Sequence, residues 1–129
     1  MDTVLMTIQE AANETGLTEH TLRYYERIGL IESVDRAQNG HRRYSRDDLG
    51  WIDMLKCLRA TGMPVSQMLE FAQMTRSGED TIPDRLELLE AHRCDVLQQI
   101  EQLQRHLTKI DHKINYYNNL QGELACKES

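Results

Sequence analysis

Residues 16–30 read GLTEHTLRYYERIGL, and this stretch decides the fold. Thr18 has the side chain of a helix N-cap, because its hydroxyl can accept a hydrogen bond from an amide that the first helical turn leaves unpaired. Gly29 is typical of a helix end, where glycine adopts the left-handed conformation at little cost. The stretch therefore predicts a helix that follows Thr18 and ends at about Ile28.

A second short helix is predicted immediately upstream. Thr7 and Glu10 have the spacing of a capping box, which opens a helix over residues 8–14, and Gly16 ends that helix. Two short helices joined by a turn of about four residues that contains glycine are the pattern of a helix-turn-helix. A generic helical hairpin would show the same signals, so this feature alone leaves both interpretations open.

The pattern after Gly29 changes to that of a small β-hairpin. Leu30, Ile31 and Val34 predict a short strand, Asn39-Gly40 predicts a tight turn, and residues 42–44 predict the returning strand. A hairpin at this place would be a wing beside the helix-turn-helix. No acidic residue lies between positions 36 and 46, and this density of arginine favours DNA contact over simple solvation. The basic residues of this segment are Arg36, His41, Arg42, Arg43 and Arg46.

The bulk composition limits the possible classes of protein. A chain of 129 residues fits one small domain with an appendage, and its net charge of −6 makes the local basic segment more informative than the total. No apolar run approaches the roughly 18 residues of a membrane span, and the first residues lack the features of a signal peptide. The three scattered cysteines fit neither a disulfide framework nor a zinc site. We therefore expect a cytoplasmic protein without membrane contact, metal or cofactor.

Two further helices complete the predicted head. Ser45 and Asp48 form another capping box, which opens a helix from Arg46 to about residue 61. Pro64 suits the first turn of the next helix, which runs to about Arg76. Apolar residues at helical spacing predict the buried faces of these two helices: Leu49, Ile52, Leu55 and Leu58 in the first, and Val65, Met68, Leu69 and Ala72 in the second.

A long helix is predicted over about residues 81–120. Its apolar residues repeat with the heptad period over more than four heptads, and a helix that long cannot bury such a seam on a head of 76 residues. A partner helix from a second copy is the natural solution, with Arg93 as the one polar break in the seam. The predicted dimerisation residues are Leu86, Leu89, Val96, Ile100, Leu103, Leu107, Ile110, Ile114 and Tyr117.

The run RYYERIGL at 23–30, followed by RAQNGHRRY at 36–44, resembles the N-terminal domain of MerR-family regulators. The resemblance covers residues 5–76. It implies a mainly α-helical chain with a winged helix-turn-helix head (1–76), a dimerisation helix (77–120) that forms an antiparallel coiled coil, and a flexible tail (121–129). It further implies a homodimer that binds a pseudo-palindromic promoter operator in double-stranded DNA and distorts it for RNA polymerase.

The resemblance also assigns residues to the DNA interface. The helix that follows Thr18 corresponds to the recognition helix, and the hairpin corresponds to the wing. His41 departs from the family pattern, which usually has Tyr or Phe there, so its backbone-packing contact is in doubt. The DNA-binding residues implied in this way are Thr18, His20, Arg23, Tyr24, Arg36, His41, Arg42, Arg43, Tyr44 and Arg59.

Cys57 is the candidate sensor thiol. Residues 51–63 resemble the NmlR/AdhR-like branch of the family, whose members respond to aldehydes and other electrophiles through a cysteine, and Lys56 and Arg59 flank the thiol in sequence. Modification would add bulk between this helix and the core of the head.

Several alternatives stay open. Cys57 could be a small core residue, as free cysteine usually is. The effector could then be a non-thiol small molecule or a protein. The chain could also be a protein-interaction adaptor that uses the coiled coil and carries a vestigial head. A thiol enzyme is the weakest alternative, since no general base, oxyanion motif or cofactor loop accompanies the thiol.

Overall fold

The chain is a mainly helical protein, known here from a computed structural model that describes residues 5–32, 35–36 and 42–128, with the backbone alone at 35, 36, 42, 43 and 128. It divides into two compact units, Met1–Leu86 and Glu87–Ser129. The elements in chain order are α1 (Ile8–Thr15), α2 (Glu19–Ile28), β1 (Asp35–Arg36), β2 (Arg42–Arg43), α3 (Arg46–Ala60), α4 (Val65–Ser77), a short 3-10 helix (Glu79–Thr81) and α5 (Ile82–Glu128).

The caps that the sequence predicts are present at both helices of the helix-turn-helix. Thr7 and Glu10 form the reciprocal capping box of α1, and the Thr18 hydroxyl accepts from the Thr21 amide at 3.0 Å to cap α2. Gly16 and Gly29 end the two helices in the left-handed conformation, with φ of 76° and 92°. Local capping chemistry therefore fixes where each of these helices begins and ends.

The strand predicted at Leu30 and Ile31 is wrong. Both amides donate to the Tyr25 carbonyl, at 2.9 and 3.2 Å, and so close the C-terminal end of α2. Both side chains are buried in the core of the head. Amides that close a helix cannot also join a β-ladder, and this is why an apolar pair with strand-like composition is not a strand. Val34 and the Asn39-Gly40 turn lie outside the described residues.

The described backbone after Glu32 includes a two-stranded antiparallel sheet. Asp35 pairs with Arg43, and Arg36 pairs with Arg42. Tyr44 then forms an isolated bridge with Met6, through backbone hydrogen bonds of 2.7 and 2.8 Å. The returning strand is thus tied to the chain just before α1.

The core of the head lies among α1 to α4. The predicted buried faces of α3 and α4 are confirmed at Ile52, Leu55, Leu58, Met68 and Ala72, while Leu49, Val65 and Leu69 are half-buried. Phe71 and Met63 join this core although the sequence did not single them out. The buried apolar residues of the head are Ala11, Leu22, Tyr25, Leu30, Ile31, Tyr44, Ile52, Leu55, Leu58, Met63, Met68, Phe71 and Ala72.

Helix α5 contains 47 residues and continues eight residues past its predicted end. Gly122 lies inside this extension, and a single glycine in a helix costs only about 1 kcal/mol relative to alanine. The residues after it, Glu-Leu-Ala-Cys-Lys, form helix readily enough to offset that cost. Within the described ranges, no helix combines the length and apolar character needed to cross a membrane.

Candidate nucleic-acid interface

One face of α2 presents four exposed side chains suited to nucleic acid. His20, Arg23, Tyr24 and Arg27 are spaced by three and four residues, so they lie along a single face of the helix. The DNA-binding residues expected from the sequence include the first three and leave out Arg27. The helical spacing from Arg23 and Tyr24 is the signal that could have added Arg27. We call these four residues the α2 face.

The opposite side of α2 anchors it in the head. Leu22 is fully buried and Tyr25 nearly so, and both belong to the core of the head. Polar and basic groups on one side with core residues on the other give a helix that can present its face without rearranging. The N-terminal end of α2 also carries the partial positive charge of the helix dipole, which favours phosphate.

The basic groups of the α2 face are already oriented in the free protein. Arg23 donates from Nη2 to the Glu19 Oε1 at 3.3 Å, with both side chains about half exposed. The Arg27 guanidinium lies 5.7 Å from the centre of the Tyr24 ring, a cation–π distance. A surface ion pair of this kind contributes little to stability, so a DNA phosphate or guanine edge can replace Glu19 as the partner of Arg23 at small cost.

The structure supports some of the predicted wing contacts and not others. Arg36 and Arg42 lie opposite each other on β1 and β2, and Arg43 is the next residue of β2. His41 lies outside the described residues. Tyr44 is fully buried, so the prediction that its side chain contacts DNA is corrected: it packs in the core, where it supports the base of the returning strand.

Helix α3 carries the two remaining predicted site residues on exposed positions. Arg59 lies in its last turn, where a cation is favoured by the helix dipole and stays accessible to a phosphate. Cys57 is an exposed free thiol, and Cys94 and Cys126 are exposed as well. The interpretation of Cys57 as a buried core residue is therefore wrong. An adduct on this thiol would add bulk at the surface of α3, not between α3 and the core as the sequence suggested.

The charges around Cys57 also differ from the sequence-based picture. Lys56 donates from Nζ to the Thr15 carbonyl at 2.8 Å and so serves the C-terminal end of α1. Asp53, one helical turn before Cys57, is exposed on the same side of α3. Arg59 is two residues after Cys57 and therefore lies on a different side of α3, so the structure does not show the cationic flank predicted for the thiol. No group of three or more potential metal ligands occurs among the described residues.

The predicted dimerisation residues form an exposed apolar seam along α5. Leu103, Leu107 and Ile110 expose 67, 55 and 55% of their surface in the single chain. Leu89 and Val96 are half-buried, while Arg93, the polar break, is exposed. Leu97, Leu120 and Leu124 are further exposed leucines of the same helix.

Known proteins resemble both the head and the whole chain. The family described as "MerR HTH family regulatory protein" matches residues 6–74. An uncharacterized HTH-type transcriptional regulator from Haemophilus influenzae is 39% identical over 111 residues, which are 86% of this chain and 82% of the relative. The HTH-type transcriptional regulator AdhR of Bacillus subtilis is 39% identical over 84 residues, 65% of this chain and 60% of AdhR.

Two solved structures share the fold along most of the chain. HiNmlR, described as a MerR family regulator lacking the sensor domain and bound to promoter DNA, matches with a TM-score of 0.84 and 36% identity, over 92% of this chain and 94% of HiNmlR. A MerR family transcriptional regulator from Bacillus thuringiensis matches with a TM-score of 0.78 and 33% identity, over 86% of this chain and 97% of the relative. The chain therefore belongs to the MerR family of helix-turn-helix regulatory proteins, in the branch that includes AdhR and HiNmlR, and is a DNA-binding transcriptional regulator rather than an enzyme.

Proposed function

We propose that this regulator binds a pseudo-palindromic promoter operator as a homodimer, with the α2 face in the major groove and the wing on the flanking backbone. The observation that carries the proposal is the α2 face itself, where exposed basic and aromatic groups stand on a helix held by buried Leu22 and Tyr25. The Thr18 end of α2, the strands with Arg36, Arg42 and Arg43, and Arg59 supply further contacts. The setting we propose is the cytoplasm.

Binding to the DNA upstream of the protein's own gene tests this interface. In fluorescence anisotropy titrations we expect Arg23→Ala to weaken binding by about tenfold or more, as loss of a bidentate base contact costs about 1–3 kcal/mol. Arg105→Ala is the matched control, because Arg105 also pairs with a glutamate four residues earlier, at 2.6 Å, but lies on α5. Equal affinities of the two variants would contradict the proposed role of the α2 face.

The exposed apolar seam of α5 supports the proposed dimerisation. Its exposed apolar side chains need a cover, and a second copy of α5 offers the same heptad repeat. We propose an antiparallel coiled coil, in which Arg93 does not meet its own copy, whereas a parallel in-register pair would place two guanidinium groups together in the seam. Two heads on one coiled coil then match the two half-sites of the operator.

Activation is proposed to work through DNA shape. A dimer that holds two half-sites can bend and underwind the DNA between them, and the cost depends on the sequence being deformed. The distorted promoter would then suit RNA polymerase. DNase footprinting with and without effector tests this step: hypersensitive sites at the operator centre that appear on activation are expected, and an unchanged cleavage pattern would contradict it.

The proposed effector is an electrophile, such as an aldehyde, that modifies Cys57. The supporting observations are that Cys57 is exposed on α3 and that the chain is similar to AdhR and HiNmlR. Because Cys94 and Cys126 are also exposed, Cys94→Ser and Cys126→Ser are matched controls for Cys57→Ser.

The expected result is loss of aldehyde-induced transcription in Cys57→Ser alone, with an adduct on Cys57 found by peptide mass spectrometry of the wild-type protein. A Cys57→Ser protein that still activates transcription in response to aldehyde would contradict the thiol mechanism. It would favour the alternative of a non-thiol small-molecule or protein effector.

A further inference from the structure

The segment that leaves the recognition helix is held by side chains from two other helices. The Leu30 carbonyl accepts a hydrogen bond from the Trp51 indole Nε1 of α3 at 2.7 Å. It also accepts one from Nη2 of Arg76, in the last turn of α4, at 3.2 Å. The Trp51 ring is itself fixed by stacking on Phe71, with centroids 5.7 Å apart. A single carbonyl after α2 thus ties together α2, α3 and α4.

Arg76 adds a second tether further along the same segment. Its Nε lies 3.1 Å from the Glu32 Oε1, with 32% of the Arg76 side chain and 71% of the Glu32 side chain exposed. Both residues line a cleft of about 290 Å³ together with Asp47, Asp48 and Trp51. Among the described residues of that lining, Arg76 is the one cation facing three carboxylates, so the local field holds its guanidinium in the cleft.

The end of α4 that carries Arg76 is itself well fixed. The Thr81 hydroxyl lies within hydrogen-bond distance of the Met74 and Gly78 carbonyls, at 2.6 and 2.7 Å. Arg85 donates to Thr81 Oγ1 at 2.9 Å and to the Gly78 carbonyl at 2.6 Å. Arg76 therefore projects from a helix end that is itself held in place. It can restrain the segment that follows α2, which it contacts at Leu30 and Glu32.

We propose that Arg76 is a positioning residue of the DNA interface, which sets how the chain passes from the recognition helix into the wing. Glu32 precedes β1 by three residues, a span of about 10 Å at most, so a tether at Glu32 restricts where β1 can lie. Because Trp51 also satisfies the Leu30 carbonyl, loss of Arg76 leaves no buried acceptor unpaired. The effect should therefore fall on DNA binding more than on folding. The inference rests on the proposed use of the wing in that binding.

A double-mutant cycle on promoter DNA tests the proposal, with Arg76→Ala, Glu32→Ala and the double variant. Arg76→Ala is expected to weaken binding about three- to tenfold. Glu32→Ala is expected to weaken it by less than about threefold, because the Glu32 side chain is largely exposed and Arg76 still donates to the Leu30 carbonyl. The double variant is expected to bind no more weakly than Arg76→Ala, because both changes remove the same ion pair. The slope of log affinity against log salt is expected to stay at its wild-type value, since an arginine that touched a phosphate would lower it by about one. Arg105→Ala and Glu101→Ala, an exposed pair on α5, form the control cycle.

Three results would overturn the proposal. Wild-type affinity in Arg76→Ala would show that the tether is unimportant for binding. A salt slope lowered by about one would show direct phosphate contact. An affinity loss that disappears when binding is corrected for the folded fraction, measured by circular dichroism at the same temperature, would show a purely structural role. A wild-type protein that fails to bind the promoter DNA would instead contradict the proposed operator binding. Failure of the Arg76 proposal can therefore be told apart from failure of the proposed function.

Discussion

At the scale of single residues, Lys56 shows how one side chain completes a helix in another part of the head. Its ammonium group donates to the Thr15 carbonyl at the end of α1, beside Gly16 in its left-handed conformation. A Cβ on Gly16 would lie 2.9 Å from the Lys56 Nζ, so alanine there would meet both a strained backbone and the tip of this side chain. Sequence reasoning predicts the glycine end of α1, but it cannot predict Lys56 as its partner, because that contact depends on how α3 packs against α1.

Gly16→Ala is therefore expected to lower the free energy of unfolding by about 1–2 kcal/mol, from the left-handed backbone and the displaced hydrogen bond. Gly50→Ala is the matched control, because Gly50 is helical and a Cβ there meets nothing within 4 Å. It is expected to raise the same quantity by about 0.5–1 kcal/mol. Urea unfolding followed by circular dichroism measures both, and equal effects of the two variants would contradict this account of Gly16.

At the scale of elements, side-chain caps determine helix starts. Ser45 Oγ accepts from the Asp48 amide at 3.1 Å, and the Asp48 carboxylate accepts from the Ser45 amide at 2.9 Å. This reciprocal box opens α3, which carries Arg59 and Cys57. Ser45→Ala is expected to cost about 1 kcal/mol of unfolding free energy, while Ser66→Ala, at an exposed position early in α4, should change it by less than about 0.5 kcal/mol. A thermal unfolding midpoint unaffected by Ser45→Ala would argue against the cap.

The features that sequence reasoning missed have two different causes. Caps are local, so the starts of α1, α2 and α3 were predictable from a few neighbouring residues. Leu30 and Ile31 instead depend on a competition between two uses of their amides, and the helix end wins over the β-ladder. Tyr44 reads as a wing residue by its place in the motif, and only the tertiary packing shows that its ring is buried.

At the scale of the whole molecule, the seam of α5 makes dimerisation testable by one substitution. Leu107→Asp would place a charge in the seam of both copies of the proposed dimer, where burial of each leucine side chain contributes about 1.5–3 kcal/mol. We expect the dissociation constant of the dimer to rise by about a hundredfold or more, with loss of operator binding. Light scattering after size-exclusion chromatography measures this change. Thr108→Asp, the neighbouring exposed residue off the seam, should leave the dimer intact. A dimer unchanged by Leu107→Asp would place the interface elsewhere.

Trp51 is the sole tryptophan of the chain, and its position gives the molecule an intrinsic optical reporter. Its indole stacks on Phe71 and donates to the Leu30 carbonyl just after α2, so its emission responds to rearrangement at that joint. The tyrosines of α5 do not interfere when tryptophan is excited selectively. Unlabelled protein can therefore reveal in real time whether operator, effector or a substitution at Arg76 disturbs the link between helix and wing.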